Sequence, residues 1–297
     1  ILNLLIPQPS PYPLIRIGGS GDGAYLLPDD LLGIEACFSP GVNNYKYFED
    51  ELALSYGIAS YMCDFTSDEH AFQTPLVKGM QTFQKKWLAP SIDADSITLA
   101  GWISQHSRSA CSDLMLQMDI EGAEYPILLA SDQSVLNRFR IIVLELHGLE
   151  ALLDENMLNQ SIGPAISRLS QSHICVHAHP NNCSTSTLDP VSMLNIPSVL
   201  EVTFLRKDRF PPNAPLFIPR LPHPRDIPYN VVHNPPVHLN NGWLCGRPQS
   251  YDSAIKIYRD QILQSSSVTS VLMMKALRYS RDSNTTFINQ VLLIASF

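Results

Sequence analysis

The stretch that most constrains this chain runs from Leu114 to Leu129, reading Leu-Met-Leu-Gln-Met-Asp-Ile-Glu-Gly-Ala-Glu-Tyr-Pro-Ile-Leu-Leu. Leu114 to Met118 form a short apolar run. Asp119 and Glu121 arrive at its end with Gly122 beside them, and a helical apolar spacing then begins. That order describes a buried strand whose charged tip feeds a helix. In open α/β sheets a ligand sits outside the carboxyl ends of the parallel strands, so two acids there are placed to meet something. The competing account is that Glu121 and Glu124 only decorate the first turn of the helix, where negative charge suits the dipole.

The same unit recurs along the chain. Ile34 to Phe38 read as a first strand, followed by the loop Ser39-Pro-Gly-Val-Asn-Asn44 and a helix from Tyr47 with Phe48, Leu52 and Tyr56 in register. Glu49, Asp50 and Glu51 load its first turn favourably. Backbone N–H groups of such a strand-loop-helix approach whatever lies above the sheet, which suits the carboxylate end of a cofactor. Ala59 to Cys63 make a second strand ending at Asp64. An acid about 20 residues beyond the loop is the expected partner of ribose hydroxyls; the alternative is a turn residue. Met80 to Leu88 read as the third strand, and Ser96 as the cap of a short helix through Ile103. Arg140 to Leu146 supply the fifth, with Glu145 and His147 flanking its end. Leu153 to Leu169 are helical in spacing, split or kinked at Gly163-Pro164. His173 to His177 form a sixth strand ending in His177 to Asn182, and Val199 to Arg206 a seventh whose alternation suits exposure on one face.

Residues 7 to 13 are proline-rich and read as an extended lead-in. In the segment Arg16-Ile-Gly-Gly-Ser-Gly-Asp-Gly-Ala-Tyr25, four glycines in six residues predict a tight hairpin. It is neither a Walker loop nor a dinucleotide fingerprint, since no Gly-Lys-Ser/Thr follows and the strand-then-helix setting is missing. Prolines crowd positions 211 to 248 among His223, His233 and His238, which predicts an extended wrap, and Tyr251 to Phe297 read as two or three helices.

Met-Asp-Ile-Glu-Gly-Ala-Glu at 118 to 124 closely resembles the signature of FkbM-type S-adenosylmethionine-dependent methyltransferases. The resemblance runs from about Arg16 to Arg209 and includes the hairpin and the Ile196 to Arg209 run, Ile-Pro-Ser-Val-Leu-Glu-Val-Thr-Phe-Leu-Arg-Lys-Asp-Arg. It implies a Rossmann-like class I methyltransferase: a seven-stranded, mostly parallel sheet with helices on both faces, parallel apart from strand seven. The implied activity is methyl transfer from S-adenosylmethionine to a hydroxyl of a sugar, glycan or natural product. By the same resemblance Ser39, Pro40, Gly41 and Val42 cover the cofactor loop, with Ser39 and Val42 where glycines are common. Glu49 matches a Phe-Glu pair, and the hairpin, carrying Asp22 and Tyr25, is a lid or cofactor-side flap with Ala24 in place of a glycine. Asp64, Asp119, Ile120 and Glu121 complete the expected cofactor set.

A sulfonium donor brings its own electrophile, so such a protein must align acceptor, methyl and leaving sulfur and exclude water. A hydroxyl acceptor also needs a base, and histidine is the best-tuned side chain near neutral pH. His147 is the expected base, with Glu145 orienting it or binding substrate. His177 is the reserve, placed with Asn181 on the substrate side. Asp119, Glu145, His147 and a distal histidine could form a hard-ligand site, but no tight ligand spacing supports one and no metal is expected. Two other classes stay open: a nicotinamide-dependent enzyme, disfavoured by the missing Gly-x-Gly-x-x-Gly, and a non-catalytic Rossmann-like binding module.

The expected division is a flap over 1–30, a cofactor-binding methyltransferase domain over 31–210 and an extension over 211–297. A net charge of −8 argues against a broad nucleic-acid face and against adhesion to anionic lipid. Six cysteines without a CxxC pair read as reduced, mostly buried thiols of a cytoplasmic protein. The opening Ile-Leu-Asn-Leu-Leu-Ile is too short for a membrane span and lacks the marks of a signal peptide. Nothing in the sequence sets an oligomeric state, and the expected acceptor is a small molecule or glycan.

Overall fold

A computed structural model describes residues 1–245 other than Arg108, residues 190–193 and Asn241. The helices expected over Tyr251 to Phe297 lie outside the described residues. One helical turn, Leu2–Leu5 (α1), buries Leu2 and Leu5 against the core before the proline-rich lead-in. Leu14–Ile17 (β1) and Tyr25–Pro28 (β2) then pair antiparallel, with Ile17 opposite Tyr25, as the glycine-rich hairpin. The first sheet unit is Ile34–Pro40 (β3), Tyr47–Tyr56 (α2) and Ala59–Cys63 (β4), followed by Gln81–Gln84 (β5). Trp87–Leu88 (β6) and Ser96–Ile97 (β7) form a small parallel ribbon before the helix Leu99–His106 (α3). Asp113–Met118 (β8), Glu124–Ala130 (α4), Gln133–Leu136 (α5) and Phe139–His147 (β9) come next. After them come Glu155–Met157 (α6), Gly163–Ser172 (α7) and His173–Pro180 (β10). Ser186–Leu188 (β11) pairs with Asn195–Pro197 (β12), and Val199–Arg206 (β13) returns to the main sheet. The described residues close on Gly242–Cys245 (α8).

The main sheet has seven strands in the order β10-β13-β9-β8-β3-β4-β5. Every pair is parallel except the two made by β13, which lies antiparallel to β9 and β10. This is the Rossmann-like arrangement expected, with strand seven alone reversed. One face is covered by α1, α3, α4 and α7, whose Leu5, Trp102, Leu128 and Leu169 are fully buried against Phe38, Leu116 and Ile142. The other is covered by the hairpin and α2, where Ile17, Tyr25, Leu27, Phe48 and Leu52 pack on Cys37, Met115, Ile141, Val143 and Leu205. Each such side chain contributes about 1.5–3 kcal/mol by leaving water.

Several expectations change. The third strand is shorter than Met80 to Leu88: it ends at Gln84, and after Lys85 and Lys86 the chain leaves the sheet, so that Trp87 pairs with Ser96 instead. Ser96 is therefore extended, and Thr98 caps the helix, its Oγ1 accepting from the Gly101 N–H at 3.2 Å. The segment after β9 is broken as its Gly163-Pro164 pair foretells, into a 3₁₀ turn, α6, a π turn over Leu158–Ile162 and α7. The sixth strand extends to Pro180, which puts His177 and His179 inside it and not at its tip. The seventh is buried along its length up to Leu205, not exposed on one face, because the hairpin lies over it and Thr203 Oγ1 donates to the Leu26 carbonyl at 2.6 Å.

Residues 211–240 contain no helix, and their one bridge to the body joins Phe217 to Ser10. Asp226 holds the segment to β10, its carboxylate 3.0 Å from His177 Nε2 and 3.5 Å from His179 Nδ1. Asn182 and Asn234 tie it down further on. Of the cysteines with described side chains, Cys37, Cys63 and Cys175 are buried, Cys111 and Cys183 are exposed, and none is bridged.

Candidate active site

The carboxyl edge of the sheet is organised by the close approach of two strand tips. Gly41, at φ 82°, has no room for a side chain, since a Cβ there would lie 1.6 Å from the Asp119 carbonyl oxygen. The loop after β3 is thereby pressed against the tip of β8, and the Asp119 N–H donates to the Pro40 carbonyl at 3.3 Å. Ser39 and Val42 turn inward and are buried. Ser39 Oγ lies in hydrogen-bonding contact with Glu49 and Gln117, so Glu49 sits beneath the loop and not on the open edge. Burial raises its carboxyl to about 7.

Asp64 ends β4 as expected, but its carboxylate is engaged on both oxygens. It accepts from the Asn43 N–H at 3.0 Å and Ser67 Oγ at 2.8 Å, and from Thr66 N and Oγ1, both at 2.7 Å. These bonds hold its pKa down against the opposing effect of burial, and they lock two adjacent loops together. A ribose hydroxyl would have to displace one of them.

Between β8 and β9 the chain makes a tight turn. Glu121 (φ 56°) and Gly122 (φ 101°) are both left-handed, which for a glutamate costs roughly 1–2 kcal/mol. The turn is held by Glu124, whose buried Oε1 accepts from the N–H groups of Ile120 at 3.0 Å and Gly122 at 3.3 Å. Glu124 does more than decorate the helix start. It faces inward, with Oε1 3.1 Å from His147 Nδ1.

His147 ends β9, and Tyr125 fixes its main chain by donating its hydroxyl proton to the His147 carbonyl at 2.9 Å. His147 Nε2 lies 3.4 Å from Glu121 Oε2 and 3.8 Å from Asp119 Oδ1 and Glu145 Oε1. Burial alone would lower the imidazole pKa, but the bond to Glu124 and the charges of Glu124, Asp119 and Glu121 outweigh it and raise it. Burial brings Asp119 up to about 7, with the neighbouring acids adding to the effect and His147 opposing it. Burial, with Asp119 and Glu201 adding to it, also raises Glu145 well above the ordinary carboxyl range.

A row of polar groups continues across the sheet. Register sets Glu145 beside Glu201 and Glu201 beside His179. The Tyr25 hydroxyl of the hairpin lies 3.4 Å from both Glu145 Oε2 and Gln117 Nε2. Asn181 Nδ2 donates to Glu145 Oε1 at 2.9 Å and reaches exposed Asp22 of the hairpin at 3.4 Å. From the extended segment, Asn230 Nδ2 donates to Glu201 at 2.7 Å and Asp22 at 3.0 Å.

The structure therefore brings Asp22, Tyr25, Asp119, Ile120, Glu121, Glu145, His147 and Asn181 together. It sets Ser39, Val42 and Glu49 below the surface, and it withdraws His177 into a buried pair with Asp226, away from the substrate side expected for it. Sequence reasoning does not single out Glu124, Gln117, Glu201 or Asn230 for this site. Glu201 does carry a signal, as an acid inside the apolar run Val-Leu-Glu-Val.

Two groups present ligand atoms within 4.8 Å of one another, Asp119 with Glu145 and His147, and Asp22 with Glu145 and Glu201. The spacing suits a divalent ion, though acidic groups adopt it without one. The donor set also fits the methionine end of S-adenosylmethionine, because acids at the tips of adjacent parallel strands match its ammonium and sulfonium charges.

Residues 30–170 match the model of the methyltransferase FkbM domain. No curated protein matches the chain. Among solved structures, a single-residue mutant of the 16S rRNA (adenine(1408)-N(1))-methyltransferase from Catenulisporales acidiphilia is similar at 11% identity and a TM-score of 0.29, over 65% of this chain and 97% of that one. Spermidine synthase from Thermotoga maritima is similar at 8% identity and a TM-score of 0.29, over 61% of this chain and 58% of that one. A putative RNA methyltransferase from Pyrococcus horikoshii is similar at 9% identity and a TM-score of 0.28, over 59% and 76%. These are loose superpositions, and the assignment rests on the domain match. That match and the Asp-Ile-Glu-Gly-Ala-Glu turn give the same result: this chain carries a methyltransferase FkbM domain, a family whose activity implies S-adenosylmethionine as methyl donor.

Proposed function

We propose that the protein transfers a methyl group from S-adenosylmethionine to a hydroxyl of a sugar, glycan or natural product, with His147 taking the hydroxyl proton. The observation that carries this is the position of His147 Nε2, 3.4 Å from Glu121 and 3.8 Å from Asp119 and Glu145, at the tips of two adjacent parallel strands. When bound, the cofactor supplies an electrophilic methyl group. Asp119 and Glu121 hold its cationic end, the end of β3 and the loop after it, Ser39–Val42, lie beside it, and Asp64 serves its ribose side. Tyr25 and Asp22 close the hairpin over the edge. Glu145 and Asn181 bind the acceptor. His147, its pKa raised, accepts the proton as the new bond forms.

The acid-lined edge and the net charge of −8 favour a neutral or cationic acceptor over nucleic acid. Among the described residues no helix is long and apolar enough to cross a membrane. We place the protein in the cytoplasm on its unbridged buried thiols. We divide the chain into a hairpin flap to residue 30, a catalytic domain over 31–210 and an extension beyond.

The engagement of Asp64 and of the Asn43 and Asn44 N–H groups within the loops favours a second reading, a non-catalytic binding module. Calorimetric titration with S-adenosylmethionine, S-adenosylhomocysteine and NADH separates the readings. Micromolar binding of the first two alone is the expected result. No binding of any supports the module, and NADH binding would overturn both. A screen of hydroxylated acceptors with labelled cofactor then tests the reaction. Turnover of His147→Gln should fall by about 10²–10⁴-fold, and unchanged turnover would remove His147 as the base.

A further inference from the structure

The basic nitrogen of a histidine is chosen by what the other nitrogen bonds. At His147 that partner is Glu124, a fully buried carboxylate on the first residue of α4. Glu124 Oε1 already accepts from two backbone N–H groups, so it accepts at this contact too, the proton lies on Nδ1, and the Nε2 lone pair is left toward Asp119, Glu121 and Glu145. Those acids stand at 3.4–3.8 Å, longer than an ordinary hydrogen bond, so none of them takes up the Nε2 lone pair.

Glu124 is itself held. Its Oε1 takes the N–H groups of Ile120 and Gly122 in the left-handed turn, so the carboxylate cannot swing away without breaking that turn. The next residue, Tyr125, holds the His147 carbonyl at 2.9 Å. Two consecutive side chains of one helix thus fix the ring and the main chain of the same histidine. A neutral glutamine would cap the turn equally well. Yet the side chain is a carboxylate, and its Oε2 is buried without a hydrogen-bond partner, an arrangement that a purely structural cap does not need.

We propose that Glu124 is the positioning residue of His147, holding its imidazole as the Nδ1–H tautomer with Nε2 turned toward Asp119, Glu121 and Glu145. The proposal rests on the reading of His147 as the base, and its test is independent of any acceptor. The charged groups facing His147 are Asp119 and Glu121 from the turn after β8, Glu124 from α4 and Glu145 from its own strand; Asp22 of the hairpin lies beyond Glu145. Of these groups, only Glu124 reaches Nδ1.

The experiment is a pH titration of the full chain followed by long-range ¹H–¹⁵N correlation of the imidazoles, with His147→Gln assigning the signal. Wild type should show the Nδ1–H tautomer and a midpoint above the ordinary histidine value. Glu124→Gln should lower the proton affinity of His147 about tenfold, one pKa unit, and release the tautomer toward a mixture. Glu121→Gln, at a group 87% exposed, should move the midpoint far less. An Nε2–H tautomer in wild type overturns the proposal, and so does a Glu124→Gln titration that superimposes on wild type. If Glu124→Gln does not fold, the wild-type tautomer decides alone. Failure of the base reading is seen elsewhere, as full turnover by His147→Gln with the titration unchanged in wild type.

Discussion

Gly41 and Asp119 meet backbone to backbone, so closely that a Cβ on the glycine would sit 1.6 Å from the aspartate carbonyl oxygen. The contact joins the loop after β3 to the tip of β8. Gly41→Ala brings both that clash and an unfavourable φ of 82°, and should destabilise the fold by about 2–4 kcal/mol. Urea denaturation checks the value. A loss below about 0.5 kcal/mol would mean that the loop relaxes freely.

Asp119 is predicted to hold the cationic end of the cofactor. Asp119→Asn keeps the shape and removes the charge, and should weaken S-adenosylmethionine binding by about 10–100-fold, the loss of a charge-assisted contact. Calorimetry reads it directly. Unchanged affinity would move the role to Glu121 or Asp22.

The rate of methyl transfer should rise with pH along a limb that belongs to His147. A base works deprotonated, and the His147 pKa is raised, so the midpoint of the limb should lie above the ordinary 6.5 of histidine. A pH profile of kcat/KM is the measurement. A midpoint below the ordinary value would contradict the surroundings described for the ring.

Glu49 should make the protein less stable in alkali. Its carboxyl titrates near 7 in the fold against an ordinary 4.5, because it is buried. The native state therefore holds this proton more tightly than the unfolded chain. The resulting stability is complete below the unfolded value and is lost as pH rises through the folded one. Glu49→Gln should gain on the order of 1–3 kcal/mol over wild type at pH 8 and nothing near pH 4. Denaturation at the two pH values decides it, and an equal effect at both would assign the change to packing.

The sheet is legible in the sequence because its strands are short apolar runs with polar ends, as in Ile34 to Phe38 and Arg140 to Leu146. Local pattern does not say when a chain leaves a sheet, and so it carries the third strand on through Lys85 and Lys86. The tips of β8 and β9 are legible for the same reason as the strands, since Asp119, Glu145 and His147 interrupt apolar runs. Glu124 is not, because its position at a helix start is the usual place for an exposed acid. What turns it inward is a backbone turn with Glu121 and Gly122 both left-handed. Asn230 carries no signal at all, since it stands in a proline-rich stretch without periodicity and reaches Glu201 only after the chain has folded back.

On the proposed reading, the molecule divides its labour along the chain. Asp22, Asn181, Glu201 and Asn230 all fall outside residues 30–170, while Asp119, Glu145 and His147 fall within them. On that reading, the base His147 and part of the acceptor's surroundings, Asn181 and Asn230, then lie in different stretches of chain. Exchanging the 225–234 segment should redirect the protein to a new acceptor while leaving its chemistry where it stands.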